Sequence, residues 1–568
     1  MRRRTRLVIT ALGGAAALAL GGVSAPAQAD PRATAKQPTA VGYGGAVATV
    51  DPDATRVGLD VLRQGGNAVD AAVAAAATLG VTEPYSTGIG GGGFFVYYDA
   101  KSHSVHTIDG RETAPQRMGP DSFQENGQPI PFADAVSSGL SVGVPGTPAT
   151  WQEALSRWGT RSLAQELQPA EQVATRGFVV DQTFHQQTAD NQKRFSYFVP
   201  TRELYLPGGQ PPAVGSVFRN PDLAATYREL GRHGIGWLYD GRLGAEIAQT
   251  AQKPPVDPSS GWYARPGLME RSDLAAYDAP LREPTHVGYR GLDVYGMAPP
   301  SSGGSTVGEA LNILENADLG SMTRTQAMHY YLEASALAFA DRAEYVGDPD
   351  YVDVPLQQLL SDGFAKERFC QIDPLHAAAK PVPAGQPDGS YSTDCGAASQ
   401  TAPAMDHEGL STSHLTVADR WGNVVSYTLT IEQTGGSGMV VPGRGFLLNN
   451  ELTDFDFAPA AGVESDPNLP APGKRPRSSM SPTIVLDGGR PFLAVGSPGG
   501  STIITTVLQV LIDRLDLHMT LPQAIADPRA SQRNTKAVQA EPDFPTAGLA
   551  ALGHQFTTTP EIGAATGI

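Results

Sequence analysis

The chain has 568 residues, of which 40% are hydrophobic, and its formal net charge at pH 7 is −17. This much apolar sequence can bury a large core, and 64 glycines with 46 prolines predict many turns. The excess of acidic residues argues against nucleic acid as a partner, because the phosphate backbone would be repelled.

Residues 1–29 have the pattern of a secretory signal peptide. Four arginines within residues 2–6 precede an apolar run over 7–23, and Ala27-Gln28-Ala29 offers a small-residue cleavage site. We therefore expect an exported protein, secreted or extracytoplasmic, whose mature chain starts at residue 30. The apolar run is broken by glycines, and no later segment is apolar for long enough to cross a bilayer, so a membrane anchor is not expected.

The amino-terminal half has the pattern of a mixed α/β fold. Residues 53–81 predict two helices joined at Gly65-Gly66, and a glycine-rich turn at 88–93 is followed by two predicted strands that end near Asp109. Because these glycines precede a strand, whereas the dinucleotide-binding fingerprint opens a helix after a strand, the sequence does not predict a nucleotide site here.

Residues 150–350 alternate helical stretches with proline-rich connections and contain no internal repeat. The periodicity is then lost, and we interpret residues 372–411 as a loose tail or linker. Cys370 and Cys395 flank part of this tail and are the only cysteines of the sequence. In an exported protein such a pair favours a disulfide over a metal site.

The carboxy-terminal part is the most regular. It predicts a β-hairpin over 413–430 with a turn at 419–423, because both arms are rich in β-branched residues. A second strand pair follows and runs into Pro498-Gly499-Gly500, after which residues 501–515 predict a helix.

The stretch LSTSHLT, residues 410–416, places several hydroxyl groups at the start of the hairpin. A threonine hydroxyl becomes an effective nucleophile when a base lies beside it, and the α-amine of an amino-terminal threonine, with a pKa of about 8, is such a base. A chain that cuts itself before Thr412 would create this arrangement. The alternative interpretation is that Ser, Thr and His are simply common hairpin residues.

Two further stretches could take part in the same chemistry. Gly499 and Gly500 could present two backbone N–H groups to a developing oxyanion, or they could only permit a tight strand-to-helix turn. Ser478 and Ser479, in the stretch GKRPRSSMSPT, could hold a carboxylate, or they could lie in a solvated loop.

Taken together, these motifs resemble the γ-glutamyltranspeptidase family, also called glutathione hydrolases. The resemblance rests on TSHLTVADRWGNVVSYTLTIEQTGGSG, GFLLNNELTDF, KRPRSSMSPT and VGSPGGS, with GGNAVDAA, TEPYSTGIGGGGF and DGRETAP upstream. It implies an α/β (α+β) fold, a four-layer αββα sandwich of the N-terminal-nucleophile hydrolase type. One precursor would be cut into a large chain, 30–411, and a small chain, 412–568, and the chemistry would need no cofactor or metal.

The resemblance also assigns roles to individual residues. Thr412 matches the nucleophile, so the cut would fall between Ser411 and Thr412, and Thr430 matches the threonine whose hydroxyl bonds the nucleophile. The other matches are Gly499 and Gly500 as the oxyanion pair, Arg111, Ser478 and Ser479 around the substrate α-carboxylate, and Glu432, Glu451 and Asp454 around the substrate α-amine. We expect His414 to be a packed or hydrogen-bonded strand residue.

The sequence departs from the family pattern in three places. Some members carry Asn at the position of Glu432 and Gln at the position of Glu451, so the amine end of this pocket is expected to be unusually acidic. The segment between Asp454 and Lys474 is rich in Pro and Ala, and the sequence does not decide whether it forms a lid. The chain stops at PEIGAATGI, so we expect the small chain to lack its last strand.

The sequence thus predicts an exported enzyme that forms a γ-glutamyl ester on Thr412. It would pass the γ-glutamyl group of glutathione or a related donor to water or to an amino acid or peptide, with the large and small chains forming a heterodimer. One rival interpretation is a cephalosporin-acylase-like glutaryl amidase on the same fold, which would have less use for Arg111 and the paired acids. Another is a non-catalytic exported solute-binding protein, which would have no need of Thr412.

Overall fold

The structure is a computed structural model and describes residues 36–392, 411–459 and 466–568. The expected signal peptide, Cys395 and the second half of the expected tail lie outside these described residues. Among the helices that are described, none is both long and apolar enough to span a bilayer.

The strands and helices are short relative to the length of the chain. The strands are β1 Gly45–Thr49, β2 Gly92–Asp99, β3 Ser104–Gly110, β4 Gln124–Glu125, β5 Gln128–Pro129, β6 Phe178–Val179, β7 Val217–Phe218, β8 Leu281–Arg282, β9 Thr285–Tyr289, β10 Leu292–Gly296, β11 Ser413–Asp419, β12 Val424–Thr430, β13 Thr483–Asp487, β14 Arg490–Gly496, β15 Ala530–Ser531, β16 Val538–Ala540, β17 Phe556–Thr558 and β18 Thr566–Gly567. The α-helices are α1 Pro52–Arg63, α2 Ala68–Thr82, α3 Phe132–Val136, α4 Thr147–Trp158, α5 Leu163–Arg176, α6 Gln182–Asp190, α7 Gln192–Phe195, α8 Val199–Tyr205, α9 Pro221–His233, α10 Gly236–Tyr239, α11 Arg242–Gln252, α12 Arg271–Ala275, α13 Gly303–Glu315, α14 Arg324–Tyr345, α15 Leu356–Leu359, α16 Asp362–Phe369, α17 Thr502–Leu515, α18 Leu521–Ala526 and α19 Thr546–Ala551.

Two antiparallel sheets face each other in the centre of the protein. Within the described residues the first sheet has the strand order β1-β11-β12-β2-β3-β8 and the second has the order β18-β14-β13-β10-β9. Side chains of β2 alternate between two cores: Phe95 and Tyr97 join the helices that cover the first sheet, while Phe94 and Val96 join the core of the second sheet. This alternation follows from the two-residue period of a strand.

Helices form the two outer layers. Helices α1, α2 and α4 pack on the first sheet, and α13 and α17 pack on the second. The predicted four-layer αββα sandwich is therefore confirmed.

Helix α2 illustrates how the sequence builds an outer layer. All 15 of its residues are buried, and seven are alanines, so the neighbouring elements can approach its backbone closely. Its start is fixed by a capping box in which the Asn67 side chain and the Asp70 side chain each accept a backbone N–H of the other residue. The Asp70 carboxylate also accepts hydrogen bonds from Thr160, which ties α2 to the chain before α5.

The first half of the expected loose tail is fixed in the structure, so that prediction is wrong for residues 372–392. Lys380 donates to both carboxylate oxygens of Glu333 at 2.8 Å, and both side chains are buried. Val382 N–H donates to the side chain of Asn534 at 2.7 Å, and that side chain donates back to Val382 O at 2.9 Å. A composition rich in Pro and Ala does not show such tertiary contacts. Cys370, just before this segment, is disulfide-bonded.

The final residues extend the second sheet. Gly567 pairs with Val495 and Thr566 pairs with Gly496, so a short strand β18 lies at the edge of the second sheet. Ile568 and Ala494 then exchange backbone hydrogen bonds of 2.9 Å. The last described residues therefore pair with the second sheet, and the expectation that the small chain lacks its last strand stays a prediction.

Candidate active site

The site centres on one peptide carbonyl. The chain runs unbroken through Ser411 and Thr412, so the structure has the site before any cut. The hydroxyl of Thr412, which directly precedes β11, donates to the carbonyl oxygen of Ser411 at 2.7 Å. The hydroxyl of Thr430, at the end of β12, donates to the same oxygen at 2.8 Å and lies 3.4 Å from the Thr412 hydroxyl. A hydroxyl nucleophile and a second donor thus converge on one carbonyl group.

The register of the hairpin produces this convergence. Because Ser413 pairs with Leu429, Thr412 and Thr430 are the next residues opposite each other. The backbone N–H of Glu432 donates to the Thr430 hydroxyl at 2.8 Å, which leaves the proton of that hydroxyl free to point at Ser411.

The residue before the predicted cut is also fixed. The Ser411 hydroxyl donates to the carbonyl oxygen of Tyr85 at 3.1 Å and lies 2.9 Å from the hydroxyl of Ser86. Both contacts come from the turn after α2, so the large-chain segment holds the last residue that the cut would leave to it.

The glycine-rich turn before β2 has a packing role beside this carbonyl. A Cβ on Gly91 would lie 2.1 Å from the carbonyl oxygen of Thr430, and one on Gly90 would lie 2.1 Å from that of Leu447. Only glycine allows these backbones to approach so closely. The turn is therefore explained by close packing at the site.

Gly499 and Gly500 lie between β14 and α17 with φ of 135° and 57°. Both values favour glycine, because a Cβ is strained in this region. The Thr502 hydroxyl donates to Gly499 O at 2.7 Å and fixes the turn. Neither glycine N–H donates to an acceptor within the described parts of the chain. Two unengaged amides before a helix are suited to hold an oxyanion.

His414 links this turn to the hairpin. A Cβ on Gly496 would lie 2.3 Å from the His414 ring, so the ring packs directly on the end of β14. Its Nδ1 lies 2.8 Å from the Thr428 hydroxyl, and burial lowers the pKa of His414 to about 3, so the ring is neutral. This is the packed, hydrogen-bonded strand residue that the sequence predicted.

Arg111 lies in a buried cluster with two of the predicted acids. Its guanidinium donates to the carboxylates of Glu451 and Asp454. It also donates to the backbone oxygens of Pro476 at 3.0 Å and Arg477 at 2.8 Å. The structure therefore brings Arg111, Glu451 and Asp454 together and joins them to the segment that carries the two predicted serines.

This pairing changes what is expected of Arg111. Burial disfavours its charge, but the carboxylates of Glu451 and Asp454 outweigh that effect and raise the pKa of Arg111. A guanidinium has five N–H groups, and that of Arg111 already makes four hydrogen bonds inside the protein. A substrate carboxylate would therefore have to replace one of these partners, and Arg111 is not the free fork that the sequence suggested.

Ser478 and Ser479 are buried, so the interpretation as a solvated loop is wrong. The Ser478 hydroxyl accepts the backbone N–H of Met480 at 3.2 Å. The Ser479 hydroxyl accepts a hydrogen bond of 2.9 Å from Arg342, whose guanidinium also donates to Ser302 at 2.7 Å. Both predicted serines thus lie beside the Arg111 cluster with their hydroxyls already engaged.

Glu432 occupies a strained position two residues after Thr430. Its φ is 78°, a left-handed value that a non-glycine residue adopts only when its surroundings enforce it. Asn450 donates to one carboxylate oxygen, and the Gln433 side chain lies 3.4 Å from the other. Glu432 is thus held by its neighbour Gln433 and by Asn450, which directly precedes Glu451.

Two buried residues of the site escaped the sequence analysis. Glu112 follows Arg111, is fully buried, and neither of its carboxylate oxygens has a hydrogen-bond partner among the described residues. Burial, and secondarily the negative charge of Glu451, raises the pKa of Glu112 well above its usual value, which favours the neutral form of this acid. The second such residue is Arg342, which is buried on helix α14. The sequence marks it only as a positive charge among the many apolar residues of that helix.

One cluster outside this site has metal-ligand chemistry. Ligand atoms of His329, Glu333 and His554 lie within 4.8 Å of one another. However, the rings of His329 and His554 are hydrogen-bonded at 2.8 Å, and the Lys380 ammonium already neutralises Glu333. These groups satisfy one another, and we assign no ion to them.

Comparison with known proteins agrees with this geometry. The sequence profile of the gamma-glutamyltranspeptidase family matches residues 54–568. The chain belongs to this family. The glutathione hydrolase proenzyme of Bacillus subtilis (strain 168) is 41% identical over 526 residues, which cover 92% of this chain and 86% of that protein. The glutathione hydrolase proenzyme of Escherichia coli (strain K12) is 39% identical over 497 residues, with coverages of 85% and 80%.

One solved structure resembles this γ-glutamyltranspeptidase family member over nearly its whole length. The crystal structure of a cephalosporin acylase from Bacillus halodurans superposes with a TM-score of 0.79 at 29% identity, and covers 95% of this chain and 94% of that one. The family is thus shown by sequence, and the fold is shared with an acylase.

Proposed function

We propose that this protein is an exported γ-glutamyltransferase and glutathione hydrolase that cuts itself before Thr412 and then uses Thr412 as its nucleophile. The observation that carries the proposal is the convergence of the Thr412 and Thr430 hydroxyls on the Ser411 carbonyl oxygen, at 2.7 and 2.8 Å. Family membership supports the reaction class, and it counts against a non-catalytic solute-binding protein.

The first reaction is the cut. The Thr412 oxygen attacks the Ser411 carbonyl carbon, and its proton passes to the peptide nitrogen as the C–N bond breaks. Thr430 stabilises the negative charge that develops on the carbonyl oxygen, because its hydroxyl already points there. Water then hydrolyses the resulting ester, which leaves a carboxylate on Ser411 and a free amine and hydroxyl on Thr412.

The second reaction is γ-glutamyl transfer. The new α-amine of Thr412 accepts the hydroxyl proton as the oxygen attacks the γ-carbonyl carbon of the donor. The N–H groups of Gly499 and Gly500 are suited to hold the oxyanion. The departing amine takes the proton from the Thr412 ammonium, and water or an acceptor amine then attacks the γ-glutamyl ester by the reverse sequence.

The charge pattern supports a zwitterionic donor such as glutathione. A γ-glutamyl group carries an α-carboxylate and an α-ammonium, and the cluster of Arg111 with Glu451 and Asp454 contains a partner for each. The substrate α-carboxylate would accept N–H groups of Arg111 in place of Glu451 or Asp454. The substrate α-ammonium would then pair with the protein carboxylate that Arg111 has released. Buried charges are exchanged in this way without leaving one unpaired.

The similarity to a cephalosporin acylase gives the glutaryl amidase a place as second candidate. A glutaryl group has the carboxylate and lacks the ammonium. On binding Arg111 it would displace Glu451 or Asp454 and leave that carboxylate without a positive partner. We therefore expect γ-glutamyl substrates to be preferred.

The test compares γ-glutamyl-p-nitroanilide with glutaryl-p-nitroanilide, each with and without a dipeptide acceptor. The proposal predicts a higher kcat/KM for the γ-glutamyl substrate and faster nitroaniline release when acceptor is added. A preference for glutaryl-p-nitroanilide would replace it with the amidase. Amino-terminal sequencing of protein from the culture medium tests export, with a start at Asp30 expected.

A further inference from the structure

We propose that Arg194 is a positioning residue for substrate recognition, because it holds the loop 432–438 and thereby the carboxylate of Glu432. This inference rests on the proposed function, in which Glu432 recognises the substrate α-amine. Arg194 lies on α7 in the large-chain segment, whereas the loop lies in the small-chain segment. The contact would therefore join the two chains after the cut.

The loop has only two internal backbone hydrogen bonds among the described contacts, from Gly436 N–H to Gln433 O at 2.7 Å and from Gly438 N–H to Gly435 O at 2.8 Å. Four of its seven residues have left-handed φ values: Glu432 at 78°, Gly435 at 87°, Gly436 at 56° and Gly438 at 79°. Glycines lose more conformational freedom on ordering than other residues, and the left-handed glutamate adds strain. Contacts from outside the loop must therefore fix it.

Arg194 supplies two of these contacts at the centre of the loop. Its guanidinium donates to the carbonyl oxygen of Gly436 at 2.5 Å and to that of Thr434. The same guanidinium is held in place by the side chain of Asn191, which accepts hydrogen bonds of 3.1 and 2.7 Å. Hydrogen bonds from a charged donor are among the stronger ones in a protein, so this pair fixes the turn of the loop.

Neighbouring large-chain residues complete the support. A Cβ on Gly435 would lie 2.6 Å from the Phe195 ring, so the loop backbone packs directly on that ring. Gly435 N–H donates at 2.7 Å to the carbonyl oxygen of Tyr85, which also accepts the Ser411 hydroxyl. The loop and the residue before the cut thus share one anchor.

Arg194 also acts on Glu432 through its charge. Burial lowers the pKa of Arg194 to about 10, and the negative charge of Glu432 opposes this lowering. The direct hydrogen bonds of Arg194 go to backbone oxygens and to Asn191, so it positions the loop and leaves the carboxylate of Glu432 to Asn450 and Gln433.

The experiment uses Arg194→Met, Arg194→Lys and Asn191→Ala, with Arg202→Met as a matched control. Arg202 is an arginine on the next helix, α8, and pairs with Asp257. We expect Arg194→Met to raise KM for γ-glutamyl-p-nitroanilide about tenfold, since two charged hydrogen bonds are lost, while KM for glutaryl-p-nitroanilide changes less than about twofold. Arg194→Lys should recover part of the loss because an ammonium can still donate to both carbonyls. Asn191→Ala should show a smaller effect in the same direction.

A second measurement does not depend on the substrate. Hydrogen–deuterium exchange of residues 432–438, in the uncut Thr412→Ala background, should become faster with Arg194→Met and stay unchanged with Arg202→Met. Unchanged exchange, or equal rises in KM for both anilides, would overturn the inference. If wild-type enzyme does not use the γ-glutamyl anilide, the proposed function fails, and the exchange measurement alone decides whether Arg194 positions the loop.

Discussion

Removing the Thr430 hydroxyl tests the self-cut in detail. Two hydroxyls donate to the carbonyl oxygen of Ser411, but that of Thr412 is needed as the nucleophile, so only Thr430 can remain as a donor during the cut. The variant Thr430→Val removes this donor, which lies 2.8 Å from the oxygen. Loss of one such donor to an oxyanion slows a reaction by about 10²-fold to 10³-fold. The buried N–H of Glu432 also loses its acceptor, which costs about 1–3 kcal/mol of folding stability.

The assay is a pulse–chase experiment that follows the uncut chain and its two products on a denaturing gel. Thr416→Val is the matched control, because the Thr416 hydroxyl is buried in the same hairpin and has no hydrogen-bond partner among the described residues. We expect the control to be cut at the wild-type rate and Thr430→Val to remain uncut over the same period. Cutting of Thr430→Val at the wild-type rate would refute this account of the carbonyl.

Three further predictions concern the pocket and the core. Arg111→Lys should raise KM for γ-glutamyl-p-nitroanilide by about 10²-fold, because an ammonium cannot replace a guanidinium that makes four hydrogen bonds. The same variant should still cut itself normally, as judged on a denaturing gel. Glu432→Gln should raise KM for the γ-glutamyl anilide about tenfold and leave the glutaryl anilide unchanged; equal effects on both would contradict a role at the α-amine. Burial lowers the pKa of folded His414 to about 3, whereas the unfolded chain takes up a proton on this ring as the pH falls through about 6.5. In urea unfolding between pH 6.5 and 5, wild type should therefore lose stability relative to His414→Gln, at a rate that rises to about 1.4 kcal/mol per pH unit at pH 5. Parallel stability curves would show that His414 titrates normally.

Local elements were predictable because their signals are local. The hairpin that the sequence predicts over 413–430 is present as β11 and β12, since both arms are rich in β-branched residues. The helices at 52–63 and 68–82 directly follow Asp51 and Asn67, whose side chains cap them by accepting backbone N–H groups of the first turn.

Contacts between distant segments were not predictable in the same way. The pairing of Arg111 with Glu451 and Asp454 brings together residues separated by 340 and 343 positions, and no periodicity records it. The family resemblance named these residues, but it did not show that they neutralise one another. Arg194 lies in none of the motifs, and Glu112 lies in DGRETAP without a role assigned to it, because each acts through backbone contacts or burial.

The expected tail shows a related limit. Pro- and Ala-rich composition predicts weak local structure, and residues 371–392 are in fact largely without helices or strands. Lys380 nevertheless forms a buried ion pair with Glu333 there. Composition reports local preference, whereas such an ion pair depends on where the rest of the fold places its partner.

The most direct test of the central claim is to trap the acyl enzyme. Wild-type protein turning over γ-glutamyl-p-nitroanilide without acceptor is quenched in acid, and its chains are weighed and fragmented by mass spectrometry. We predict that the chain starting at Thr412 gains one γ-glutamyl group on the Thr412 hydroxyl, and that the adduct disappears when a dipeptide acceptor is added before the quench. Turnover with no adduct on Thr412, or with the γ-glutamyl group on another residue, would contradict the assignment of Thr412 as the nucleophile.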